Sequence, residues 1–147
     1  MQLDTFIQVH EREILNEWDE FARKVFGDIF KDGKYLARDH AAEILKELVA
    51  DMNSLQSLEK QMEKSQNITS SREKPESAAN IHGLLRHDDG LNVSHVVAEF
   101  RALRATIFRL WLPTIEQMSK SQINEIIRFN ESIDKAVADS IISYEQQ

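Results

Sequence analysis

The chain has 147 residues, enough for one domain with one core, with 41% hydrophobic and 29% charged residues, the balance of a globular protein rather than a disordered one. A formal net charge of -7 argues against nucleic acid and anionic lipid as partners, and the absence of cysteine excludes a disulfide framework, a thiolate metal site and a cysteine nucleophile. No apolar run approaches the roughly 20 residues needed to cross a bilayer, and Met1-Gln2-Leu3-Asp4 lacks a signal-peptide layout, so the expected location is cytoplasmic.

Only 4 Gly and 2 Pro punctuate the chain, too few for a many-stranded β protein, and nothing alternates with period two. The expected fold is an all-α bundle of about five helices forming a single domain over residues 1–147, with a non-haem globin-like stack as one arrangement of it. The first helix is expected from about Asp4 to Phe26. Thr5 and Gln8 fit a capping box, Ile7, Ile14, Trp18, Phe21 and Val25 form the apolar stripe, and Gly27-Asp28 marks the end. The second follows Lys31-Asp32-Gly33-Lys34. It carries Ala37, Ala41, Ile44, Leu48, Met52 and Leu55, and extends toward Lys64. Ser65 to Ser71 reads as a loop. Ser70 with Glu73 and then Pro75 suit the start of a third helix bearing Ala78, Ile81 and Leu85, which Asp88-Asp89-Gly90 stops.

Asn92 is placed to cap the fourth helix, whose stripe of Val93, Val96, Val97, Phe100, Leu103, Ile107, Leu110 and Trp111 runs to a break at Pro113. Ser119 and Gln122 form a capping box for the fifth helix, which carries Ile123, Ile126, Ile127, Val137 and Ile141 almost to Gln147. Its last residues, Ser143 to Gln147, lack a Gly or Pro stop, which suits either continuation into a signalling helix or a frayed end.

Several polar residues share these apolar faces at 100° per residue. Arg104 falls between Phe100, Ile107 and Trp111, with Glu99 and Arg101 at the margins. Asn130 and Asp134 lie one turn apart beside Ile123, Val137 and Ile141. His82 shares the face of Ala78, Ile81 and Leu85, and Glu11 lies near the line of Ile7, Ile14 and Trp18. A buried charge must be paired, and Arg offers five donors in a planar fork. The expectation is therefore that Arg104 meets Asp134 and Asn130 across the last two helices, so that losing Asp134 strongly destabilises the fold. The structural reading of these residues is a polar network that fixes register. The functional reading is a small ligand pocket or a switch between two packings.

Chemistry is otherwise sparse. His40 and Glu43 stand at helical spacing, but no H-E-x-x-H or repeated Glu-x-x-His is present, so no metal is assigned. A core histidine is the favoured reading of His82. Gly83 within a helix permits a neighbouring helix to approach closely. No phosphate-binding glycine loop or nucleophile elbow occurs, and no catalytic residues or cofactor are assigned.

The segments His82-Gly83-Leu84-Leu85-Arg86, Gly90, Val96 through Arg104, Arg109-Leu110-Trp111 and Ile127 through Ala136, with Ile14 through Trp18 and Arg38 through Leu45, resemble a known family. They are similar to the N-terminal sensory domain of bacterial sensor histidine kinases, which is related to the N-terminal domain of RsbT co-antagonist proteins. The likeness covers nearly the whole chain, and the E-F-R-A-L-R and R-F-N-E-x-I-D segments are its most specific parts. It implies a non-catalytic signal-input domain that forms a homodimer and passes its signal to a downstream kinase or other signalling domain. The chain carries no H-box, no ATP-binding glycine boxes and no STAS-type segment. The alternatives are a haem or small-ligand sensor using His82 or His40, and an interaction scaffold of a stress-signalling complex.

Overall fold

A computed structural model describes residues 1–27, 38–54 and 76–147. The protein is an all-α bundle. Among the described residues there are six α-helices and no strand: α1 (Leu3–Val9), α2 (Glu11–Phe26), α3 (Arg38–Asn53), α4 (Ala78–Asp88), α5 (Val93–Trp111) and α6 (Lys120–Glu145). None of these is long and apolar enough to cross a membrane.

The first expected helix is two. His10, at φ -104 and ψ 22, breaks it without Gly or Pro. The buried residues explain the break: Leu3, Phe6 and Ile7 of α1 and Ile14, Leu15, Trp18, Ala22 and Phe26 of α2 would point roughly 100° apart on one straight helix. Bending at His10 aims both sets at one core. Val25, expected in the stripe, is exposed, and Phe26 is buried in its place. The expected Thr5–Gln8 cap does not form. Instead Glu125 of α6 reaches across the bundle, and its Oε2 accepts from the Leu3 N–H at 2.9 Å.

The other caps follow local chemistry. Asn92 accepts from His95 N–H and Ser119 from Gln122 N–H, each completing a capping box. Ser77 and Asn80 form a third box at the start of α4. Gly90 adopts φ 87 in the turn between α4 and α5, a conformation that favours glycine. Pro113 ends α5 in a short 3-10 turn, Leu112–Thr114. Within α3, Ala41, Ile44, Leu48 and Met52 are buried as expected, together with Leu45 and Val49. The expectations on Ala37, on Leu55 to Lys64, on the Ser65–Ser71 loop and on Ser70, Glu73 and Pro75 lie outside the described residues.

One core gathers residues from every helix, centred on Trp18, Leu48, Phe100, Leu103, Ile107, Trp111, Phe129 and Ile133. Beside it, Ala22, Phe26 and Leu91 form a smaller cluster. Helices α4 and α6 run side by side in parallel, since Ser77 meets Asp139, Asn80 meets Asp139 and Ser143, and His87 meets Tyr144. Their contact is close enough that a Cβ on Gly83 would lie 1.9 Å from the Ser140 carbonyl oxygen. The Ser140 hydroxyl in turn donates to the Ala79 carbonyl.

Candidate functional site

The most concentrated polar chemistry among the described residues lies between α2, α4 and α5. His82 and Arg86 stand one turn apart on α4 and face Glu99 on α5. All three side chains are buried. Arg86 grips the carboxylate with two bonds, Nε to Oε1 at 2.7 Å and Nη2 to Oε2 at 3.1 Å, while its Nη1 reaches Asp89 Oδ2 at 3.0 Å. His82 Nε2 lies 3.3 Å from Glu99 Oε1. The Trp18 indole N–H donates to the Glu99 carbonyl at 2.8 Å, which fixes the backbone carrying the acid. Trp18 stacks near the His82 ring, and Phe100 meets that ring edge-on, with centroids 5.9 and 5.4 Å away.

A buried ion pair survives only when its charges are matched and hydrogen-bonded, and the planar guanidinium fork suits a carboxylate on both counts. Burial pushes the Glu99 carboxyl up. The charges and hydrogen bonds of His82 and Arg86 outweigh that effect and hold it below the usual carboxylate range. Glu125 shows the opposite balance. Burial raises it, the Leu3 N–H bond offsets this only in part, and Asp4 raises it further.

The sequence-expected residues separate into different places. Arg104 does pair with Asp134. Their side chains are 35% and 67% exposed, however, so the pair lies at the surface and not inside the seam. Asn130 is half-buried and does not join them; its Oδ1 has no hydrogen-bond partner. His82 is a core histidine, but it shares its buried face with Ala79, Gly83 and Arg86, while Ile81 and Leu85 point outward. Glu11 lines a groove between α1 and α3 with Ile7, Leu45 and Val49, and no hydrogen bond or ion pair among the described residues links it to the cluster. Sequence reasoning missed Arg86 and placed Glu99 at a margin. The available signal was the i, i+4 pairing of Arg86 with His82, and the position of Glu99 beside Val96, Phe100 and Leu103.

Helix α6 holds the second notable arrangement. Its packed face is Glu125, Phe129, Ser132, Ile133, Ala136, Asp139, Ser140 and Ser143. The expected core residues Ile123 and Ile127 are instead each 48% exposed. Ile123, Ile127, Asn130, Asp134, Val137 and Ile141 follow one another at spacings of four and three; Ile123, Ile127 and Asp134 are exposed, Asn130 and Ile141 are half-buried, and Val137 packs against the core. Small residues on α6 allow the tight approach of α4, which leaves Ile123 and Ile127 outside the core, while Ile126 and Val137 pack against it as expected.

No protein-family model, curated protein or solved structure matches this chain.

Proposed function

We propose that the chain is the signal-input and dimerisation domain of a bacterial two-component sensor kinase, without catalysis of its own. The observation that carries the reading is the outer face of α6. Its four-three spacing is that of a helix–helix seam, and such a stripe matches itself about a two-fold axis. Asp134 lies within the stripe, and its partner Arg104 stands beside it on α5. Two copies related by the axis therefore present complementary charges to each other. The sequence resemblance to the sensory domains of histidine kinases supports the same reading. A signal that displaces α6 would be read by the domain joined to it.

Haem sensing through His82 has less support. The imidazole is buried against Trp18 and Phe100, with Nε2 directed at Glu99.

Size-exclusion chromatography with light scattering tests the dimer. The expected mass is twice the 17.0 kDa of one chain. The double variant Ile123→Glu/Ile127→Glu should run as a folded monomer with unchanged helical circular dichroism. A wild-type monomer at high concentration, or a double variant that still dimerises, sinks the proposal.

A further inference from the structure

The turn between α4 and α5 stands between the buried Arg86–Glu99 pair and the last turn of α6, and Leu91 is bonded to both sides. Its N–H donates to the Arg86 carbonyl at 3.0 Å, and its own carbonyl accepts from the Tyr144 hydroxyl at 2.7 Å. The Leu91 side chain is buried against Ala22 and Phe26 of α2. Gly90, at φ 87, and its N–H bond to the His87 carbonyl shape the turn that brings Leu91 to this position.

Side chains hold this joint from two directions. On one side, Arg86 Nη1 reaches Asp89 Oδ2 at 3.0 Å while Nε and Nη2 hold Glu99. Asp89, with its side chain 39% exposed, is where this group meets solvent. On the other side, Tyr144 is the penultimate residue of α6, and the His87 ring meets it edge-on with centroids 4.9 Å apart. Asn80 also reaches the neighbouring Ser143 hydroxyl, at 2.9 Å, but that contact does not involve the ion pair.

We propose that Leu91 and Tyr144 form a conformational coupling between the buried ion pair and the end of α6. The grip of Asp89 and Glu99 on Arg86 sets the position of Leu91, and Leu91 sets whether Tyr144 is anchored. With Arg86 held, the last turn of α6 is fixed. With that grip weakened, the Leu91 carbonyl moves off the Tyr144 hydroxyl and the turn loosens. Groups joined through a shared bonded partner are expected to couple, so their effects do not simply add. The use of this coupling rests on the reading of α6 as the signal-carrying helix, but the coupling itself lies within one chain and needs no dimer.

Hydrogen exchange of the intact chain tests it, read at the amides of Ile142 to Gln146 against those around Phe129 on the same helix. Tyr144→Phe keeps the ring and removes only the hydroxyl; it should speed exchange in the last turn about fivefold, the worth of one hydrogen bond. Asp89 makes no hydrogen bond or ion pair with α6 among the described residues. Asp89→Ala should nevertheless speed the same amides about two- to threefold. In the double variant the Asp89 effect should vanish, because the bond that carries it is already gone. Last-turn amides unmoved by Asp89→Ala, effects that multiply in the double variant, or equal acceleration around Phe129 overturn the proposal. Light scattering reports the dimer separately: a monomer with the expected exchange pattern sinks the dimer and leaves the coupling standing.

Discussion

Two arginine–carboxylate pairs flank α5, and they differ in almost everything except their chemistry. Arg86–Glu99 is enclosed by α2, α4 and α5, bidentate and tied to Trp18 and His82. Arg104–Asp134 bridges α5 and α6 at the surface. On a helical wheel, Glu99 and Arg104 stand at nearly equal angles on opposite sides of the stripe of Val96, Phe100, Leu103 and Ile107. Periodicity therefore ranks them alike. What separates them is the covering of each flank: α2 and α4 close over Glu99, while water reaches Arg104. Desolvation, not the identity of the groups, sets what each pair does for the fold.

The largest test of this contrast is Arg86→Met. It leaves Glu99 buried without its guanidinium and should cost about 3–5 kcal/mol of unfolding free energy in urea titrations. A loss under about 1 kcal/mol would place the pair with surface contacts. Acidification is the intermediate case. The folded-state pKa of Glu99 lies below its unfolded value. Its stabilisation is therefore present above the unfolded carboxylate pKa of about 4.3 and is lost as the pH falls through the folded value. Urea midpoints of wild type and Glu99→Gln should differ at pH 7 and draw together as the pH falls below the unfolded value and through the folded one, whereas a constant gap would break the linkage. Glu125 contributes with opposite sign, since its folded pKa is raised: its protonated form stabilises below about pH 4.3, and that gain disappears as the pH rises through the folded value. The smallest effect belongs to Asp134→Ala, at about 0–1 kcal/mol, because its partner is already solvated. A loss of several kcal/mol there would restore the buried seam that the sequence pattern suggested.

Much of the helical layout was legible from local chemistry. Asn92, Ser119, Gly90 and Pro113 act where their residue types predict, since capping and turn preferences are decided within a few residues. The break at His10 was not, because it arises from two buried faces that only a shared core brings together. Glu125 as the cap of Leu3 was equally hidden, the two residues being separated by 122 positions. On α6 the error was instructive. Ile126 and Val137 pack against the core as expected, but Ile123 and Ile127 are exposed, because small residues on α6 allow a closer contact with α4. The sequence clue was Gly83, whose missing side chain already marked where two helices meet.

That meeting has a mechanical consequence. Gly83 seats α4 on the Ser140 carbonyl, the Ser140 hydroxyl holds the Ala79 carbonyl, and the Asn80 amide holds the Asp139 carbonyl. Sliding either helix by a single residue's rise of about 1.5 Å would tear these bonds. The two helices are thus geared together and travel as one strut. A shift of α6 along its axis would have to break these bonds or carry α4 with it. The same helix α4 carries Arg86 and His82 to Glu99.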